Sequence, residues 1–274
     1  MNSFKPDVVI GTGGFASGPV VYSAYKSGIP TLIQEGNSYP GFVTKYLSRK
    51  VNKVVVSFDE TINYLKRKDN IVKITYPIRT TLRKINKAEA EKYFGLSSSF
   101  PTLLIFGGSQ GAKGLNDKVK KVIPELFNNN INVIWQTGNN DYKEIKDLCS
   151  KFENKVKIFE FINEMKYAYS AADLVLCRAG ISSIMELAYL GIPGILVPLP
   201  GSAEDHQLKN AQSLYNRGAC EMITQNELEE NLLNKIMELF NKKEKLISIS
   251  ENIKKICDPD SAVKIAEEIF KLIK

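Results

Sequence analysis

Histidine is almost missing from this chain. His206 is the single one among 274 residues, and Cys149, Cys177, Cys220 and Cys257 stand apart with no C-x-x-C pair. That argues against a His/Cys metal cage and against a disulfide framework, and scattered thiols fit a reducing cytoplasm. Long apolar runs are missing too. None reaches the ~18 residues of a membrane span, and "MNSFKPDVVIG" has neither the basic start nor the apolar stretch of a secretory signal. There is no RNP motif, zinc finger or aromatic-basic platform, so nucleic acid is the weakest candidate partner.

Positive charge, by contrast, is plentiful and unevenly placed. Residues 1–99 hold 15 Lys/Arg against 7 Asp/Glu and the remainder 22 against 23, so the net +7 belongs to the first third. Such a surface suits an anionic membrane or a phosphorylated substrate, as well as plain solvation. Short β-branched runs at 7–10, 30–34, 53–57 and 71–75, and again at 102–107, 132–136, 155–161, 173–177 and 194–198, alternate with stretches of helical spacing. The rhythm predicts an α/β fold with parallel sheets covered on both faces. "GLSSSFP" at 95–101 reads as a linker between a unit at 1–97 and a unit at 98–257. "DPDSAVKIAEEIFKLIK", over 258–274, predicts a last amphipathic helix whose start is set by Pro259 and Asp260.

Each unit carries a glycine-rich turn after its first strand, "VVIGTGGFASGP" and "LLIFGGSQGAKGLN". Such turns let backbone N–H groups approach an anion closely. Neither is G-x-G-x-x-G or a Walker loop, and the next strand of the second unit ends in Gln136-Thr137-Gly138. The acid that would hold a nicotinamide ribose is absent there, which disfavours a dehydrogenase. In "VLCRAGISSIMELAYLGIP", at 175–193, an apolar run leads into Ser182, Ser183 and Glu186. Ser183 and Glu186 have the S-x-x-E spacing of a capping box. The same stretch also reads as a helix N-terminus that binds phosphate, with an acid nearby for a ribose. The residues alone leave both readings open.

"GTGGFASGP", "EGNSYPG", "YPIR", "GGSQGAKGLN", "FEFINEM", "CRAGISSIMELAYLGIP" and "DHQLKNA" occur in the order seen in the MurG family, and the chain resembles that family over essentially its whole length. Its members are peptidoglycan N-acetylglucosaminyltransferases that convert lipid I to lipid II. The resemblance implies a GT-B fold of two Rossmann-like parallel-sheet domains, with 258–274 returning towards the N-terminal one. The N-terminal domain reads as incomplete, because the family's G-G-T-G-G-H turn has no counterpart before "PDVVIG". The implied reaction is inverting transfer from UDP-N-acetylglucosamine to the 4-hydroxyl of the muramoyl sugar of undecaprenyl-linked lipid I, with no metal or cofactor. It implies a peripheral protein on the cytoplasmic face of the bacterial plasma membrane, touching anionic lipid.

By the same resemblance Ile181, Ser182, Ser183, Ile184, Met185 and Glu186 wrap the UDP, with Glu186 on the ribose and Ser183 at the diphosphate. Ser109 and Ile162 line the donor pocket, Ile162 meeting uracil through its backbone. Arg79 reaches the donor from the first domain, Asn37 is the cleft asparagine, and His206 and Gln207 read the sugar. Gly13 and Gly14 face the acceptor diphosphate. No general base is assigned, His206 being one candidate. Two turns depart from the family, Thr75-Tyr76-Pro77-Ile78-Arg79 and Gln34-Glu35-Gly36-Asn37. Two alternatives stay open: another GT-B glycolipid transferase, and a non-catalytic UDP-sugar-binding half that needs a partner chain.

Overall fold

A computed structural model describes residues 4–79, 81–108 and 111–273. Two parallel sheets dominate it. The first takes β1 (Val9–Gly11), β2 (Thr31–Glu35), β3 (Lys53–Val56) and β4 (Ile71–Lys73), paired in chain order. Val9 lies opposite Thr31, Leu32 opposite Lys53 and Val54 opposite Ile71. Helices α1 (Ser17–Lys26), α2 (Phe42–Leu47) and α3 (Asp59–Asn63) connect these strands, and α4 (Lys87–Phe94) follows them.

The second sheet takes β5 (Thr102–Phe106), β6 (Asn132–Gln136), β7 (Val156–Phe159), β8 (Leu174–Arg178), β9 (Gly194–Val197) and β10 (Glu221–Met222). Its helices are α5 (Lys113–Asn128), α6 (Asn139–Cys149), α7 (Met165–Ala171), α8 (Ile181–Leu190) and α9 (His206–Asn216), followed by α10 (Leu228–Asn241), α11 (Lys243–Lys254) and α12 (Ser261–Ile273). The spatial order is β10-β9-β8-β5-β6-β7, every pair parallel. Counted from β5 this is the order 3-2-1-4-5-6, which reverses between β5 and β8. The reversal opens a crevice beyond the carboxyl ends of those two strands.

Strands buried on both faces need apolar side chains at every position, which is why they read as continuous runs. In the second sheet Leu104, Phe106, Val175 and Cys177 face α7, α8 and α9, while Leu103, Ile105, Trp135 and Leu176 face α5, α6 and α10. In the first sheet Ile33, Val54 and Val56 pack with Val21 of α1 and Leu47 of α2. Leu32 and Val55 turn the other way, onto Ile265 of α12. Burying one such side chain contributes roughly 1.5–3 kcal/mol. Apolar contact therefore holds α12 more than the partly exposed Lys53–Glu268 pair at 3.3 Å does.

Although α4 precedes the 95–101 stretch, it packs on α7. Tyr93 stacks on Tyr167 with ring centroids 4.2 Å apart, Phe94 meets Phe159 edge-on, and the Ile85 N–H donates to Ser170 Oγ at 2.9 Å. Asn86 caps α4 by accepting from the Ala88 N–H at 2.9 Å, and Gly95, at φ 62°, ends it.

Candidate active site

The crevice at the β5/β8 reversal is flanked by two helix N-termini, each reached through glycine. After β5, Gly108 has φ 106° and Gly111 φ 79°, and a Cβ on Gly111 would stand 2.2 Å from the Thr137 carbonyl oxygen. Only glycine fits this turn, which leads to α5; Ser109 lies outside the described residues. After β8, Gly180 adopts an extended conformation (φ −71°, ψ 142°) as the N-cap of α8, and no side chain caps the helix.

The capping-box expectation is thereby corrected. Ser183 is the third residue of α8 and Glu186 the sixth, so both lie inside the helix and neither can cap it. The chain enters through a bare glycine, and among the described residues no side chain caps the first-turn N–H groups of α8. An uncapped N-terminus carries partial positive charge and suits an anion.

Within α8 the expected donor residues separate by face. Ser182 is exposed, while Ile181, Ser183 and Glu186 are half-buried. Ile184 and Met185 are fully buried among the core side chains of α7 and α9, and the Ile184 N–H is spent on the Gly180 carbonyl. Helical periodicity turns these two inward, so neither presents a side chain to the crevice. Glu186 Oε2 accepts the Tyr169 hydroxyl at 2.7 Å, and Glu186 Oε1 lies 3.6 Å from a guanidinium nitrogen of the exposed Arg79. Burial raises the Tyr169 phenol well above its ordinary pKa, and the Glu186 charge and hydrogen bond add to it. Burial also pushes the Cys177 thiol up, so it is an inert core group.

Gln136, at the end of β6 and buried, ties two expected donor segments together. Its Nε2 donates to the Gly108 carbonyl at 3.0 Å, and its Oε1 accepts the Ile162 N–H at 2.8 Å. That leaves the Ile162 carbonyl, and not its N–H, free for a ligand.

Facing this crevice is a cavity of about 350 Å³ at the carboxyl ends of β1 and β2. Gly13, Gly14, Asn37, Ile181 and His206 all line it, together with Phe15, Phe42 and Tyr76. Gly13 (φ 98°) and Gly14 (φ 75°) shape the turn into α1, whose N-cap Ala16 supplies no side-chain bond. His206 Nδ1 lies 2.8 Å from the Ala203 carbonyl oxygen. A carbonyl only accepts, so this contact assigns the proton to Nδ1 and leaves Nε2 as an acceptor. Gln207 Oε1 accepts the Leu199 N–H at 3.0 Å, which leaves its NH₂ group for a ligand.

Asn37 is held at the cavity wall by its own amide. Its Nδ2 donates to Glu35 Oε1 at 3.1 Å, and its Oδ1 accepts from Asn210 Nδ2 at 3.0 Å. Glu35 is buried and takes four donors: the Asn37 N–H and Nδ2 on Oε1, the Gly41 N–H and Thr44 hydroxyl on Oε2. Asn210 Oδ1 accepts both the N–H and the hydroxyl of Ser38, so this pair of amides fastens α9 to the loop after β2. Tyr169, Gln136 and Asn210 carry no role in the sequence reading. A polar residue closing an apolar strand was the signal for Gln136, whereas Tyr169 sat in a helix with nothing to single it out.

Residues 1–56 match the glycosyltransferase family 28 N-terminal domain and residues 102–267 its C-terminal domain. A UDP-N-acetylglucosamine--N-acetylmuramyl-(pentapeptide) pyrophosphoryl-undecaprenol N-acetylglucosamine transferase of Flavobacterium psychrophilum is 42% identical over 275 residues, covering 100% of this chain and 74% of its own length. The crystal structure of Acinetobacter baumannii MurG superposes with a TM-score of 0.80 at 28% identity, covering 99% of this chain and 76% of that one. A UDP-GlcNAc 2-epimerase from Neisseria meningitidis, bound to UDP-GlcNAc, has a TM-score of 0.71 at 16% identity, with 98% and 78% covered. That last likeness bears on the fold alone.

Proposed function

The chain belongs to glycosyltransferase family 28, and on that footing we propose that it transfers N-acetylglucosamine from UDP-N-acetylglucosamine to the muramoyl sugar of lipid I, making lipid II. The observation that carries this reading is the uncapped start of α8 at the β5/β8 reversal, with the Glu186 carboxylate one turn behind it. Departure of UDP builds negative charge on the β-phosphate. The free N–H groups and the dipole of α8 stabilise that charge without a metal, each fixed donor contributing on the order of 3 kcal/mol. Glu186 Oε1 accepts from the ribose diol, and the Ile162 carbonyl meets the uracil. His206 Nε2 and the Gln207 NH₂ group read the sugar. The 4-hydroxyl oxygen of the acceptor attacks the anomeric carbon in line as its bond to UDP breaks, which inverts the centre and releases the hydroxyl proton.

The acceptor enters from the other side of the cavity, with its diphosphate against Gly13 and Gly14. Phe15 is 78% and Phe42 61% exposed, and both line this cavity. On the same face Lys50 Nζ lies 5.8, 5.7 and 5.4 Å from the ring centroids of Tyr22, Tyr25 and Tyr46. Aromatic rings interleaved with lysine suit an anionic lipid surface. No helix among the described residues is long and apolar enough to cross a membrane. The lipid I reading carries with it peripheral attachment at the cytoplasmic leaflet.

Calorimetric titration of the chain with UDP-N-acetylglucosamine, beside Glu186→Ala, tests the donor site. Sub-millimolar binding that falls about ten-fold or more in the variant is expected, the loss of hydrogen bonds to a charged group. A folded wild-type chain that binds no UDP-sugar would sink the reading.

A further inference from the structure

Glu186 has a partner that the donor reading leaves unused. Tyr169, on α7, is 1% exposed and donates its hydroxyl to Glu186 Oε2 at 2.7 Å. A buried phenol without an acceptor would be costly, and this one finds its acceptor in the carboxylate at the mouth of the crevice. The ring is fixed by the core, edge-on to Phe106 with centroids 6.0 Å apart. The hydroxyl therefore holds its place independently of any ligand. Burial keeps it protonated, so it donates and never accepts a role as a second anion.

A carboxylate on a helix surface rotates about its terminal torsion with little resistance. Pinning one oxygen removes that freedom and commits the other. The free oxygen here is Oε1, on the side where Arg79 approaches to 3.6 Å. We propose that Tyr169 is a positioning residue for donor recognition: it holds Glu186 Oε2 so that Oε1 faces the vicinal diol of the ribose in a bound nucleoside diphosphate. This rests on the reading of Glu186 as the ribose contact. Tyr169 touches neither substrate nor reacting atoms and acts only through Glu186.

The test is a double-mutant cycle on the full chain, with affinities for UDP and for 2′-deoxyuridine 5′-diphosphate measured by calorimetry in wild type, Tyr169→Phe, Glu186→Ala and the double variant. Tyr169→Phe is expected to weaken UDP binding about ten-fold, the scale of one hydrogen bond to a charged group. Its preference for UDP over the 2′-deoxy analogue should narrow, and the double variant should bind no more weakly than Glu186→Ala alone. Wild-type affinity in Tyr169→Phe overturns the proposal, as does a double variant whose loss is the product of the single losses. Glu186→Ala binding UDP like wild type overturns the ribose reading itself, whatever Tyr169→Phe does. Should Tyr169→Phe fail to fold, Tyr169→3-fluorotyrosine replaces it: its ¹⁹F resonance is expected to move on adding UDP, and an unmoved resonance overturns the proposal.

Discussion

Gln136 shows how a single side chain can set the geometry of a site it does not enter. It is 4% exposed and uses both ends of its amide, one on the glycine turn after β5 and one on the segment after β7. Gln136→Leu roughly keeps the volume and removes both bonds, leaving the buried Ile162 N–H without a partner while the exposed Gly108 carbonyl turns to water. Each unmade buried hydrogen bond costs about 1–3 kcal/mol. Urea unfolding should show roughly 1–3 kcal/mol lost, and UDP affinity should fall with it. Unchanged stability together with unchanged affinity would show that neither segment depends on this amide. A polar residue closing an apolar strand was legible, but its partners were not, because they lie 28 and 26 residues away. At this scale the motifs pointed to Glu186, which lies on α8, and to Gly13, Gly14 and His206, which line the cavity. Ile184 and Met185 came with the same motif, yet the helical period buries them, and Asn37 proved to be half of an amide pair with Asn210.

Among the elements, nine of the ten described strands could be read from apolar runs, and β2, β5, β6, β8 and β9, buried along their whole length, have no alternating pattern to hide in. The tenth, Glu221–Met222, is two residues long and gives no such signal. The start of α8 was harder. S-x-x-E spacing marks a capping box only when the serine precedes the helix, and here Gly180 opens it three residues earlier. That difference is testable. A Cβ at Gly180 would meet nothing within 4 Å, and the backbone there suits any residue. In Gly180→Asp the new carboxylate would accept from the first-turn N–H groups, a gain of only a few tenths of a kcal/mol over glycine. It would also occupy the place assigned to the diphosphate and repel it. The expected pattern is an equal or slightly raised melting temperature with UDP-sugar binding reduced more than ten-fold, about 1.4 kcal/mol or more. A variant that binds like wild type would move the diphosphate away from α8.

For the molecule as a whole, the two sheets are joined by contacts distant in sequence. Asn210 holds Ser38, Arg217 and Ser213 hold Glu60, and α12 covers a face of the first sheet. These contacts set the aromatic face of α1 and α2 beside the cavity mouth, and Lys26 and Lys50 lie over its tyrosine rings. Both attractions to a lipid surface then act on one side of the molecule. The aromatic rings contribute at any ionic strength, whereas the lysines contribute about 1 kcal/mol each near an anionic leaflet and are screened by salt. Sedimentation with vesicles separates the two. The chain should bind vesicles containing phosphatidylglycerol, lose most of that binding in molar salt, and bind pure phosphatidylcholine weakly. Lys50→Ser removes one charge poised over three rings, so it should weaken binding to the anionic vesicles about five-fold and leave the weak neutral binding alone. Equal binding to both vesicle types would refute an electrostatic contribution. An unaltered Lys50→Ser would place the docking face elsewhere on the first unit, because no other lysine among the described contacts approaches all three rings.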